Sequence, residues 1–188
     1  MSGIQLFAGL GNPGKNYDTT RHNAGFWWLD TLAAQHAIHF KAEAKFFGAL
    51  AKHDSTWLLK PATYMNASGR AVAALAQFYK IPATQILIIH DELDLPPGVC
   101  KLKKGGGHGG HNGLKNIAAQ LGSNDFWRLR LGIGHPGDRN QVVNYVLHPP
   151  GKADRAQIDT AIADSTPLFN ALLQGQFDQA MQTLHSKN

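Results

Sequence analysis

Apolar positions fall into two kinds of segment along this chain. Short, nearly unbroken runs occupy Ile4 to Leu10 and Gln85 to Ile89. Runs of that length, without helical spacing, predict buried strands. Gly-Asn-Pro-Gly stops the first of them. Elsewhere the apolar residues recur at three- and four-residue intervals. Phe26, Trp27, Leu29 and Leu32 predict a helix from a Thr20 cap to about Ala37. Val72, Leu75, Ala76 and Phe78 predict a second, starting at Asn66 or Ser68 and closed by Pro82. Phe46 to Ala51 and Trp57 to Lys60 read as a strand pair around the turn His53-Asp54-Ser55. After the turn Pro96-Pro97-Gly98, Val99 to Lys103 predicts a strand and Gly113 to Leu121 a helix. Arg128 to Ile133 alternates basic and apolar residues, as a half-exposed strand does. Three further helices are expected, Gln141 to Leu147, Ala153 to Ala163 and Pro167 to His185. Strands mixed with helices give an α/β class, a twisted mixed β-sheet flanked by helices on both faces. No repeat, linker or change of composition divides residues 1–188, so a single domain is expected.

Composition narrows the compartment and the partners. At 188 residues, 43% hydrophobic and 16% charged, the chain has enough apolar surface for a substantial core and is unlike a disordered one. The net charge of +5 and isoelectric point near 9.4 favour an anionic partner, most simply a nucleic acid. Cys100 is the single cysteine, so no intrachain disulfide can form. The N-terminal residues lack a basic n-region and a long apolar stretch, and no run has the length of a membrane span. A reducing cytoplasm is the expected setting.

Candidate chemistry concentrates in Gly105 to Gly113, which holds six glycines, two histidines and one asparagine. So few side chains cannot form a core. They let backbone approach a ligand closely and leave imidazole and amide to act on it. Lys103 and Lys104 stand directly before this stretch and suit phosphate. A plain flexible surface loop is the alternative. Gly9 to Gly14 fits G-x-G-x-x-G after a strand, but Pro13 stiffens the turn and the helix begins only after a further loop. Without a helix N-terminus at the glycines, nucleotide pyrophosphate has no seat there. The turn does put Asn12 at a strand end, where α/β sheets commonly bind ligands.

His22 is the side chain best matched to proton transfer, and Asp91, just beyond the QILII strand, is the carboxylate suited to orient it. Sequence does not itself bring the two together. Asn66 reads either as a helix cap or as an amide for a substrate carbonyl. Tyr17 and Tyr64 read as packing residues or as stacking surfaces. His90, Asp91, Glu92, His108 and His111 form a conceivable metal set, yet their spacing fits no standard zinc pattern. Cys100 lies in an apolar and basic strand without a neighbouring histidine, a poor setting for a nucleophile.

Several ordered motifs resemble one family. GLGNPG at Gly9 to Gly14, Tyr17, and RHNAG at Arg21 to Gly25 are similar to the N-terminal signature of bacterial peptidyl-tRNA hydrolase. KPATYMNASG at Lys60 to Gly69, HDELDLPPG at His90 to Gly98, GGHNGLK at Gly109 to Lys115 and RLRLGIGHP at Arg128 to Pro136 follow in the family's order. Val143 to Leu147 and the helical tail agree as well. The departures are two extra N-terminal residues and the lysine-rich approach to the glycine loop. The resemblance implies hydrolysis of the ester between a peptide and the 3′ end of tRNA. It implies His22 as general base, Asp91 as its orienting partner, and Asn12 as the residue that helps position and select substrate. Asn66 and Asn112 would hydrogen-bond the peptide or the terminal nucleotide, and Tyr17 and Tyr64 would line the channel. Lys103, Lys104 and Arg130 are candidate phosphate contacts. No metal or organic cofactor, no membrane and a monomeric state are implied.

Overall fold

The computed structural model describes residues 2–187. Its strands are β1 (Leu6–Gly9), β2 (Lys41–Glu43), β3 (Gly48–His53), β4 (Thr56–Pro61), β5 (Ile86–Glu92), β6 (Cys100–Lys104) and β7 (Trp127–Gly132). The helices are α1 (Ala24–Gln35), α2 (Ser68–Phe78), α3 (Asn112–Leu121), α4 (Val142–Val146), α5 (Lys152–Ser165), α6 (Phe169–Leu173) and α7 (Phe177–His185). One sheet runs in the order β2-β3-β4-β1-β5-β7-β6. β4, β1, β5 and β7 are parallel, while β2, β3 and β6 join antiparallel. The mixed α/β sheet expected from sequence is therefore present.

Alternation along the central strands explains how both faces are covered. On β1, Leu6 and Ala8 join Ile86 and Ile88 of β5 in one apolar cluster, with Val72 and Leu75 of α2 and Leu114 and Ile117 of α3. Phe7, Leu87 and Ile89 point the other way, onto Trp28 and Leu32 of α1, Ile158 of α5 and Phe169 of α6. Strands buried on both faces read as continuous apolar runs rather than alternating ones, as Ile86 to Ile89 does. Helix α1 lies very close to the sheet: a Cβ on Gly25 would come within 2.4 Å of both Ile89 O and Leu10 N. That closeness sets the turn ahead of α1 directly over the carboxyl ends of β1 and β5.

Four local readings change. The alternating segment at Arg128 is not half-exposed: β7 sits between β5 and β6, and Arg128 is 2% exposed. Its guanidinium leaves the sheet end for the carbonyls of Gly106 (2.7 Å), Gly107 (2.7 Å) and Asn124 (3.2 Å). Thr20 does not cap α1; a 3-10 turn over Arg21–Asn23 intervenes, and the Thr20 hydroxyl donates to Tyr17 O. Helix α2 does start at Ser68, but Asn66 is not its cap: it lies in the preceding 3-10 turn over Met65–Ala67. The final expected helix is broken between α6 and α7 at Gly175, whose φ of 74° is left-handed. Strand β2, three residues on an edge with no buried member, carries no apolar signal and escaped the sequence reading.

Candidate active site

The carboxyl ends of the parallel strands, the turn before α1, the glycine loop and α4 enclose a cleft of about 330 Å³. Asp91 stands near the end of β5, buried at 3% exposure. His22 comes from the 3-10 turn, and its Nδ1 lies 2.7 Å from Asp91 Oδ2. The other carboxylate oxygen, Oδ1, lies 2.7 Å from Nε2 of His111. An ionised carboxylate only accepts, so both facing ring nitrogens carry protons. His111 Nδ1 accepts from the backbone N–H of Leu114 at the start of α3, which requires that nitrogen to be bare. Its single neutral-state proton therefore sits on Nε2 and points at Asp91. By the same logic His22 is protonated at Nδ1, and its Nε2 keeps a free lone pair in the neutral ring.

The charges reinforce this arrangement. Burial alone would depress the His22 imidazole, but the adjoining Asp91, through charge and hydrogen bond, raises it above the usual 6.5. Burial alone would raise Asp91; His22 and His111 instead hold it below the normal carboxylate range. Behind them His90 is buried and depressed to about 3, by desolvation first and by His111 second. It is neutral at working pH and donates from Nδ1 to its neighbour's carbonyl, Asp91 O (2.8 Å).

Asn12 is held on three sides. Its N–H donates to Asn23 Oδ1 (2.9 Å), its carbonyl accepts from Asn23 Nδ2 (3.0 Å), and its Oδ1 accepts from Met65 N (2.7 Å). With Oδ1 engaged, the group it presents to the cleft is its Nδ2 donor. Asn66 and Asn112 also line the cleft. Tyr17 and Tyr64 meet edge to face at the rim, ring centroids 6.1 Å apart, and Tyr64 is 60% exposed. The start of α3 comes close: a Cβ on Gly113 would lie 2.6 Å from Met65 Sδ and 2.9 Å from Leu10 Cδ1.

The structure thus gathers His22, Asp91, Asn12, Tyr17, Tyr64, Asn66 and Asn112 into one cleft. Lys103, Lys104 and Arg130 are outside its lining. Both lysines are exposed at the end of β6, with Lys104 3.9 Å from Asp125, and Arg130 Nε donates to Glu92 Oε1 at 2.8 Å. His111 and Asn23 are the residues sequence reasoning missed as partners of Asp91 and Asn12. His111 had a signal, a polar residue placed three before Leu114 at a helix start. Asn23 had none, since its partner is a turn eleven residues away. The conceivable five-residue metal set is not assembled. Glu92 is paired with Arg130, and exposed His108 accepts from Gly110 N. Among the described residues a different trio, His22, Asp91 and His111, has donor atoms within 4.8 Å of one another. An ion there would have to replace both N–H···O bonds. Cys100 is buried, and desolvation pushes its thiol up to about 12.

A buried imidazole–carboxylate pair, amide donors beside it and an aromatic rim suit water activation next to a polar ester. Residues 6–188 match the family model described as peptidyl-tRNA hydrolase. The peptidyl-tRNA hydrolase of Methylobacillus flagellatus is 66% identical, with 100% of this chain and 99% of that one covered. That of Neisseria meningitidis is 58% identical, with 98% of each covered. A crystal structure of peptidyl-tRNA hydrolase from Acinetobacter baumannii superposes with a TM-score of 0.94 at 46% identity, over 98% of this chain and 95% of that one. Motif order, fold and full-length similarity together mean that the chain belongs to the peptidyl-tRNA hydrolase family.

Proposed function

We propose that the hydrolysis of peptidyl-tRNA, the reaction of this family, runs in this chain on His22 as general base with Asp91 as its orienting partner. The observation that carries this reading is the 2.7 Å contact between His22 Nδ1 and Asp91 Oδ2 inside the cleft. Nε2 of His22 takes a proton from a water, whose oxygen adds to the ester carbonyl carbon. Asp91 stabilises the imidazolium so formed. The tetrahedral intermediate collapses by breaking the bond to the ribose oxygen, which recovers the proton from His22. The products are the free peptide and tRNA with its 3′-terminal ribose hydroxyl restored. No protein nucleophile is needed, and no metal or organic cofactor is called upon.

Selection follows from the orientation of Asn12. It offers a donor, which pairs with the carbonyl of a peptide bond or N-acyl group. The free ammonium of an aminoacyl-tRNA is itself a donor and finds no acceptor on that group. Asn66 and Asn112 add donors for the peptide or the developing oxyanion. Tyr17 and Tyr64 flank the terminal nucleotide. Lys103, Lys104 and Arg130, outside the cleft lining, are the phosphate contacts of this reading. A reducing, cytoplasmic setting accords with a single, buried cysteine, Cys100, and the monomer is the state the family resemblance implies. Among the described residues, no helix is long and apolar enough to cross a membrane.

The test is release of label from N-acetyl-aminoacyl-tRNA and from unblocked aminoacyl-tRNA, both in EDTA. Release from the blocked substrate alone is expected, and His22→Ala should abolish it while still binding tRNA. Undiminished turnover by His22→Ala overturns the assignment of the base. Activity that returns only on adding a divalent metal would favour instead an ion at His22, Asp91 and His111.

A further inference from the structure

Helix α4, through Val142, Val143 and Val146, and Leu147 just after it form one wall of the cleft. Five residues are too few for a helix to hold its own shape or place, so its position comes from tertiary ties. Val146 packs into the core, and the Tyr145 hydroxyl donates to Ile133 O at 2.6 Å. Val142 and Tyr145 also pack against the core, and the remaining polar ties converge on one residue. Arg21 Nη1 donates to the carbonyls of Tyr145 (2.8 Å) and His148 (3.2 Å), at the carboxyl end of α4. Its backbone N–H donates to His148 O at 3.1 Å, and its guanidinium lies 3.7 Å over the Tyr145 ring. A cation at a helix carboxyl end satisfies orphan carbonyls and opposes the helix dipole.

The same side chain carries a cost. Arg21 Nε is buried and finds no acceptor among the described residues. An arginine kept only for surface charge would turn that donor to water. Arg21 also directly precedes His22 in the 3-10 turn. It thus links α4 to the turn beside the base, whose imidazole is anchored separately on Asp91.

We propose that Arg21 is a positioning residue for this reaction: it fixes α4, as a wall of the channel, relative to the turn that holds His22. Channel width is thereby set, while the Asp91 contact keeps the base itself in place. The inference rests on reading the cleft as the peptidyl-tRNA channel, but its first readout does not.

Amide hydrogen exchange on the free enzyme compares wild type with Arg21→Met, which keeps the stem and removes the fork. Exchange at Leu147 and His148 should quicken about tenfold, as the two bonds from Nη1 to the carbonyls of Tyr145 and His148 are lost, with α1 and β5 unchanged. The KM for N-acetyl-aminoacyl-tRNA should rise by a similar factor, about tenfold. The value of kcat and the acid limb of its pH profile should hold. Arg21→Lys should recover part of the KM, since one point charge reaches one carbonyl. Tyr145→Phe, a milder change on the same helix, should move both readouts in the same direction and by less. Unchanged exchange in α4, or faster exchange there with KM unmoved, overturns the proposal. So does uniform loosening across α1 and β5, which marks a merely structural role. Should His22→Ala remain active, the chemical reading falls while the exchange result still decides whether Arg21 holds α4.

Discussion

Asp91 and Asn12 stand at the carboxyl ends of β5 and β1, in a sheet packed on both faces, with the His111 imidazole drawn onto Asp91, whereas Asn112 and Val143 come from the glycine loop and a five-residue helix. The two sides of the cleft are held in different ways. On the floor each polar group has partners within 3.0 Å drawn from distant parts of the chain. The walls hang on a few fasteners: Arg128 on the carbonyls of Gly106 and Gly107, and Arg21 on those of Tyr145 and His148. Both fasteners are buried or half-buried arginines whose Nε has no acceptor among the described residues. The floor sets the geometry for chemistry, where small displacements are costly. The walls define a surface that must admit a large ligand. Substitutions on the floor should therefore act on kcat, and those on the walls mainly on KM.

Asp91→Asn strikes the floor hardest. An amide cannot accept from two imidazoles and stabilise a positive one, so kcat should fall roughly 10²–10⁴-fold with KM nearly unmoved. Steady-state kinetics on N-acetyl-aminoacyl-tRNA measures this, and a pure KM effect would erase the distinction between floor and walls. Removing the second imidazole sharpens it: His111→Ala leaves one carboxylate oxygen without its donor and should lower kcat about tenfold. Arg128→Met tests the wall. The carbonyls of Gly106 and Gly107 lose their shared donor, and KM should rise about tenfold while circular dichroism of the sheet stays unchanged.

The smallest effects are those of pH. Because His22 must be neutral at Nε2 to act, and Asp91 raises its pKa, the acid limb of kcat/KM should lie above 6.5. The same shift affects stability with the opposite sense. A group whose pKa is higher folded than unfolded stabilises fully below the unfolded value and loses that contribution as pH rises through the folded one. The melting advantage of wild type over His22→Ala should thus shrink above neutrality. Asp91, depressed by its two imidazoles, contributes above its ordinary pKa near 3.8 and loses its contribution only as pH falls through the lowered one. An acid limb at or below 6.5 would mean that Asp91 does not govern the base.

Sequence made the scaffold legible where burial was complete. Ile86 to Ile89 and Leu6 to Ala8 read as strands because both faces are covered and nothing polar interrupts them. It misread β7 because Arg128 and Arg130 satisfy their charges at the sheet end, against loop carbonyls and Glu92, so alternation there does not mean water. It also read one terminal helix where Gly175 makes two. The site was legible as a set of side-chain types at strand ends and turns. The contact between His22 and Asp91 spans 69 residues and depends on how closely α1 packs through Gly25, which no local pattern encodes. His111 was seen as a loop imidazole, and its proton-donating side is fixed only by its cap on α3.

Six glycines between residues 105 and 113 carry a consequence for temperature. Glycine loses more conformational freedom on ordering than any other residue, and that penalty grows in proportion to absolute temperature. The two carbonyl bonds from Arg128 to this stretch do not grow with it. On warming, this stretch should let go while the sheet beneath is intact, and cooling should restore it. The enzyme would then lose and regain activity reversibly over a range in which its scaffold has not begun to melt.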